Sequence, residues 1–342
     1  MKKLASICIY LLLGHAAYSQ LIKGKIYDNQ DQSTVPYASV YFSGTMVGTA
    51  SDADGNFQLD ITKYKSNPLI IRAIGYETYT LKLIPGKDPY EIYLTPSLYE
   101  IEEVSVATKS LARKRKAYLR LFKSEFLGST GNERNCEILN ESDISFNYGS
   151  DKDVVKANAS EPIVVYNGSL GYLITYYLDE FSYDKKRDLV TFRGDIVFKE
   201  DLALRDADKA GHYLKRRELA YVGSCMHFFR ALWADNLEAN GFSVNRSSNE
   251  QSSDSFSSMY SVDEDVRYTD MVIQDNRNNK YLMYSENLAI THMSQSSRIT
   301  FLKSKVVFEQ NGFFDPSAIR WDGQMALQRV ADLLPYEYSL GN

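Results

Sequence analysis

The feature that most constrains this chain is a series of short segments of alternating polarity between Leu21 and about Ala107. Ile22, Gly24 and Ile26 alternate with Lys23, Lys25 and Tyr27. Ala38, Val40 and Phe42 alternate with Tyr37, Ser39 and Tyr41, and Phe57, Leu59 and Ile61 with Asn56, Gln58 and Asp60. Tyr79, Leu81 and Leu83 repeat the pattern, as do Tyr90, Ile92 and Leu94, whereas Leu69 to Ala73 is a denser apolar run. Side chains of a strand point to opposite faces in turn, so a period of two describes a ribbon buried on one face, and a continuous apolar run a strand deeper in the core. Turn signals separate the runs at Ser43-Gly44-Thr45, Asp52-Ala53-Asp54-Gly55, Ile74-Gly75-Tyr76 and Pro85-Gly86-Lys87. About seven short strands punctuated in this way predict a small all-β sandwich. The richness in aromatics, 26 Tyr and 16 Phe against 8 Pro, favours strands over bundled helices.

Five pieces fall in one order at one spacing: Gly24-Lys25-Ile26-Tyr27-Asp28, Val35-Pro36-Tyr37-Ala38-Ser39-Val40, Gly44-Thr45 with Gly48-Thr49, Asp52 to Phe57, and Ile74-Gly75-Tyr76. This ordered set resembles the carboxypeptidase-regulatory-like domain over residues 21–95. The resemblance implies a transthyretin-like, immunoglobulin-like sandwich, of a kind found in front of TonB-dependent outer-membrane receptors and in other Gram-negative envelope proteins. It implies no peptidase activity. Leu98 to Thr108 is similar to the segment leading into a receptor's plug, but a basic helix follows instead, so the chain does not read as a receptor.

Within this module Gly44, Asp52, Asp54, Gly55, Phe57, Gly75 and Tyr76 read as turn and core residues. Gly55 permits a positive φ, Asp52 bonds backbone two residues on, and Phe57 enters the core. A calcium loop is the competing reading, because Asp52, Asp54 and Asn56 alternate. Phe57 and Lys63 stand where an EF-type loop needs Gly and Glu, which favours a plain turn.

Lys2 and Lys3, the apolar run Leu4 to Leu13 and the small residues of Ala17-Tyr18-Ser19 predict a secretory signal over residues 1–19, with cleavage before Gln20. The apolar run is short for a membrane anchor, the alternative, and Cys8 lies inside it with Ile7 before it, which excludes a lipoprotein signal. The domains expected are thus residues 20–97, a linker over 98–108 and a second domain over 109–342. Loss of Lys2 and Lys3 takes the net charge from −5 to −7, so no basic excess exists for a nucleic-acid partner. No later stretch reads as a transmembrane helix. Cys136 and Cys225 remain after cleavage; they either pair in an oxidising compartment or stay as two buried thiols, the preferred reading.

The second domain reads as α+β with an antiparallel sheet. Lys109 to Leu127 combines an apolar stripe (Leu111, Tyr118, Leu121, Phe122, Phe126) with Lys109, Arg113, Lys114, Arg115, Lys116, Arg120 and Lys123, and Gly128 caps it. Its basic side is either a solvated face, the preferred reading, or a peripheral contact with an anionic surface. Glu137 to Tyr148, Pro162 to Tyr166, Tyr172 to Tyr183 and Leu189 to Phe198 read as strands. Tyr176, Tyr177, Phe181 and Tyr183 form either an aromatic platform for sugar rings or core and cross-strand pairs, the latter preferred. Lys215 to Asn240 reads as one helix with Leu219, Val222, Met226, Phe229, Trp233 and Leu237 on its apolar side. Asn245 to Ser258 reads as an exposed loop, Tyr281 to Met293 with Arg298 to Gln310 as a hairpin, and Gly323 to Leu334 as a closing helix. The ordered pieces Phe126-Leu127-Gly128, Cys136-x-Ile138-x-Asn140, Leu170-Gly171-Tyr172, Tyr221-x-Gly223-Ser224-x-x-His227-Phe228 and Arg329 to Pro335 are similar to the second domain of secreted envelope proteins, which implies architecture and address only.

Ser224 and His227, three residues apart on one helix face, are the candidate catalytic pair. A hydrolase would also need a group orienting the imidazole and an oxyanion donor, and no strand-turn-helix G-x-S-x-G elbow surrounds Ser224. His212, His227 and His292 lack the carboxylate three residues on that a zinc carboxypeptidase requires, and no nucleotide motif or C-x-x-C is present. The sequence therefore predicts no metal or cofactor. It predicts a secreted protein of the periplasm or outer membrane with a non-catalytic role and an envelope protein or glycan as partner. A glycan- or peptide-processing hydrolase and a small outer-membrane barrel are the alternatives.

Overall fold

A computed structural model describes residues 20–62, 64, 67–97, 109–147, 153–200, 207–247 and 262–341. The expected signal (1–19), the linker (98–108) and most of the polar loop at 245–258 lie outside the described residues, as does Lys63. The chain divides into two compact units, Met1–Val104 and Ser105–Asn342.

The first unit is a sandwich of seven strands: β1 (Leu21–Asp28), β2 (Ser39–Tyr41), β3 (Gly48–Ala50), β4 (Asn56–Asp60), β5 (Leu69–Arg72), β6 (Tyr79–Leu81) and β7 (Tyr90–Leu94). One sheet has the order β4-β1-β7, with β1 antiparallel to β4 and parallel to β7; the other is antiparallel, β3-β2-β5-β6. The alternation read from the sequence is the one that buries. Ile22, Ile26, Val40, Phe42, Phe57, Leu59, Tyr90, Ile92 and Leu94 meet in one core, and Leu69 and Ile71 of the dense run are fully enclosed. Tyr79 departs from the pattern and is exposed. The Asp52 turn forms because its Oδ1 accepts the N–H groups of Asp54 (2.9 Å) and Asn56 (2.8 Å). Gly55 closes it at φ +80°, with the Ile26 carbonyl only 2.7 Å from where a Cβ would sit, so a side chain there meets both strain and backbone. The Tyr76 hydroxyl donates to the Oδ2 of buried Asp28 at 2.9 Å.

The second unit has two cores. The first lies between helix α1 (Lys109–Leu127) and an antiparallel sheet of β8 (Cys136–Ile138), β9 (Ile144–Asn147), β10 (Val154–Ala159), β11 (Ile163–Asn167), β12 (Tyr172–Asp184) and β13 (Leu189–Glu200). Phe122 and Phe126 of α1 are fully buried against Tyr176, Phe181 and Phe192. The second core is built on β14 (Phe242–Ser247), β15 (Val262–Asp265), β18 (Asn287–His292), β19 (Gln295–Phe301) and β21 (Ile319–Gly323), with a smaller sheet of β16 (Val272–Gln274), β17 (Lys280–Leu282) and β20 (Val306–Phe308). The sheets among the described residues are open and do not close into a barrel. No helix among them is long and apolar enough to cross a membrane.

Three expectations are corrected, for the 215–240 helix, the 137–148 strand and the closing helix. The single helix over 215–240 is two helices, α2 (Ala207–Tyr221) and α3 (Cys225–Trp233). Gly223 breaks the run in the left-handed region, at φ +78°, so the 3–4 spacing of apolar residues continues across a bend. Leu219 consequently lies exposed, while Phe228, Phe229 and Leu232 fill the second core. Tyr176 and Phe181 are core residues, as preferred over a sugar platform: a bulge between Leu178 and Glu180 reverses the alternation of β12 and turns both into the first core. The segment 137–148 is interrupted by a 3-10 turn at Glu141–Asp143. The closing helix reduces to Gln324–Leu327, after Tyr268–Met271 the last short helix, and a 3-10 turn at Val330–Asp332. Residues 328–338 instead form a strap that returns to the first core, where Val330, Ala331, Leu334 and Tyr338 are buried.

Candidate functional site

Ser224 and His227 sit at the joint between the two cores. Ser224 has extended backbone and caps α3: its Oγ accepts the backbone N–H of His227 at 3.1 Å. The His227 ring turns away from that hydroxyl. Its Nδ1 accepts the Gly223 N–H at 3.1 Å, and its Nε2 lies 3.1 Å from Asn240 Oδ1. Asn240 Nδ2 donates to the Asn236 carbonyl, which leaves its oxygen facing the ring. These bonds assign His227 as the neutral tautomer with the proton on Nε2.

His292 faces it across 5.7 Å, and Phe242 packs 4.9 Å from one ring and 4.6 Å from the other. Burial holds both imidazoles below the ordinary histidine value, opposed at His227 by the Asn240 bond. Arg230, one turn along α3, donates to the carbonyls of Asn311 (2.8 Å), Tyr338 (2.8 Å) and Tyr336 (3.1 Å), fastening the strap. The structure thus brings Ser224 and His227 together as cap and joint. The imidazole lone pair that would draw the serine proton is held by Gly223.

Cys136 and Cys225 are free thiols, each packed against one of the two cores. Burial pushes both Cys136 and Cys225 up to about 12, and Asp332 and Glu133 add to the shift at Cys136.

A second polar cluster was not visible in the sequence. Asp332, at the apex of the strap, accepts the Thr130 hydroxyl (2.6 Å) and Asn132 Nδ2 (2.7 Å) on Oδ1, across about 200 residues of chain. Its Oδ2 is buried without a hydrogen bond, and burial raises its pKa. Asn132 in turn accepts from Arg216, and buried Asn167 donates to the Ala331 carbonyl at 2.9 Å. Arg217 is enclosed over the Tyr172 ring at 3.9 Å, donates to the Leu170 carbonyl at 2.8 Å and pairs with Glu200 at 3.0 Å. Leu170-Gly171-Tyr172 and Arg329 to Pro335 stood out separately in the sequence; nothing in either indicated that Leu170, Tyr172, Val330, Ala331 and Leu334 share one core.

In the first unit a hollow of about 640 Å³ lies over the outward side of β1, lined by Lys23, Lys25, Asn56, Gln58 and Glu91 among others. Asp52 borders it with both carboxylate oxygens engaged by its own turn. Among the described residues no three potential ligands come together for a metal ion.

Residues 22–106 match the family model of the CarboxypepD_reg-like domain. The first unit is therefore a domain of that kind, and the match covers about a quarter of the chain. No curated protein matches this sequence.

Proposed function

We propose that this chain is an exported cell-envelope protein that works by binding or assembly at the outer membrane and not by catalysis. The signal pattern at residues 1–19 and the CarboxypepD_reg-like unit at the head support the address. The observation that carries the non-catalytic part is the engagement of Ser224 and His227 in a helix cap and a buried joint. A nucleophile needs the hydroxyl on the imidazole and a free approach to both.

The purified full chain, screened against glycans and peptides, is expected to show saturable binding without turnover. Turnover abolished by Ser224→Ala would refute this reading. Fractionation of the native envelope with crosslinking is expected to recover the mature chain with envelope neighbours; recovery from the cytosol would refute the address.

One observation favours the hydrolase alternative. Asp332 is a buried carboxyl with a raised pKa and an unpartnered oxygen, as general acids often are. Turnover lost in Asp332→Asn, with the fold intact, would select it.

A further inference from the structure

The seven cations of α1 have different fates. Arg115 donates to the carbonyls of Glu141 (2.9 Å) and Ile144 (3.1 Å), Lys123 pairs with the Glu141 carboxylate at 2.5 Å, and Lys114 lies over the Tyr118 ring. Lys109, Arg113, Lys116 and Arg120 are exposed, and among the described residues no carboxylate pairs with them. At about 100° per residue the four fall within an arc of about 60°, its centre about 130° around the helix from buried Phe122 and Phe126. The rest of the exposed side is Ser110, Ala112, Ala117 and Ser124. The helix has one acid, Glu125, and it is turned to Arg329.

This row works against its own helix. Lys109 and Arg113, Arg113 and Lys116, and Lys116 and Arg120 are like charges at three- and four-residue spacing, which repel. A cation at the N-terminus also opposes the helix dipole, and the first turn has no acid. An ordinary solvated face intersperses both signs. The whole chain is net acidic at −5, so the row does not follow from composition.

We propose that this face of α1 docks on an anionic bilayer surface, with lipid phosphates as the groups recognised. The four exposed cations lie in one row along a single helix, an arrangement that can meet a plane along its length. Small flanking side chains let the cations approach within a Debye length of about 8 Å. The apolar side of α1 is engaged in the first core, so the contact is electrostatic and shallow, without insertion. Such docking gives the proposed envelope role a definite surface and rests on that role only for the location of the bilayer.

The test mixes the full chain with phosphatidylcholine vesicles, with or without about one-third phosphatidylglycerol, at low salt and reads the bound fraction by flotation. Binding that requires the anionic lipid and is released by high salt is expected. Each cation contributes about fivefold, so Arg113→Gln with Lys116→Gln lowers the partition about 25-fold, and Arg120→Gln alone about fivefold. Lys23→Gln with Lys82→Gln, the same loss of charge in the first unit, leaves it within about twofold. Circular dichroism melting confirms that the variants fold. Equal binding to neutral vesicles, wild-type binding by the α1 variants, or capture of soluble polyphosphate in place of vesicles would each overturn the proposal. Vesicle binding reports on the helix face and fractionation on the address, so either can fail alone.

Discussion

Substituting Gly223 by alanine probes the joint between the cores. Gly223 is in the left-handed region at φ +78°, which costs a residue with a Cβ about 1–2 kcal/mol. The new methyl would sit 2.9 Å from His292 Nδ1, against a ring that is itself buried, and forcing such a neighbour aside costs about 1–3 kcal/mol. The expected destabilisation is about 3 kcal/mol, or roughly 6–12 °C in the melting temperature of a unit of this size. Gly131→Ala is the internal standard. Its φ is +101° but nothing lies within 4 Å of its Cβ, so it registers the backbone cost alone. In a His292→Ala background the Gly223→Ala penalty shrinks by about 1–2 kcal/mol, because the atoms it strikes are gone. Calorimetry of the four proteins measures the cycle. A Gly223→Ala penalty equal to that of Gly131→Ala, or unchanged by His292→Ala, would show that the imidazole does not define this joint.

Three further outcomes follow from the same geometry. His227 and His292 have folded values below the ordinary histidine value of about 6.5, so as pH falls the unfolded chain takes up protons first; stability is intact above about 6.5 and is lost progressively below it. Melting of the second unit between pH 7 and pH 5.5 checks this, and a flat profile would contradict it. Phe57→Ala removes a ring that is 5% exposed in the first core and is expected to cost about 3–5 kcal/mol by chemical denaturation, whereas a surface-like change under about 0.5 kcal/mol would refute the burial. Cys136 and Cys225, with thiols pushed up to about 12, are expected to resist a thiol reagent at neutral pH until denaturant is added; one fast thiol in the native protein would contradict the assignment.

The first unit was legible from local pattern alone. Alternation in β1, β4 and β7 names the side chains that bury, and Asp52 with Gly55 names the turn, because both signals act between residues a few positions apart. Helix α1 was legible for the same reason, with its apolar stripe on one side and its cations on the other. What covers an apolar face, or completes the hydrogen bonds of a buried polar group, is set by chain far away. Long-range packing, by contrast, ends α2 ahead of a glycine held under His292 and turns Phe181 inward through a bulge. It alone brought Asp332 to close a bond with Thr130 and Asn132 across the unit. Ser224 and His227 show the division most clearly: their spacing suggested chemistry, and the N–H of Gly223, one residue before the pair, claimed the lone pair that chemistry would use.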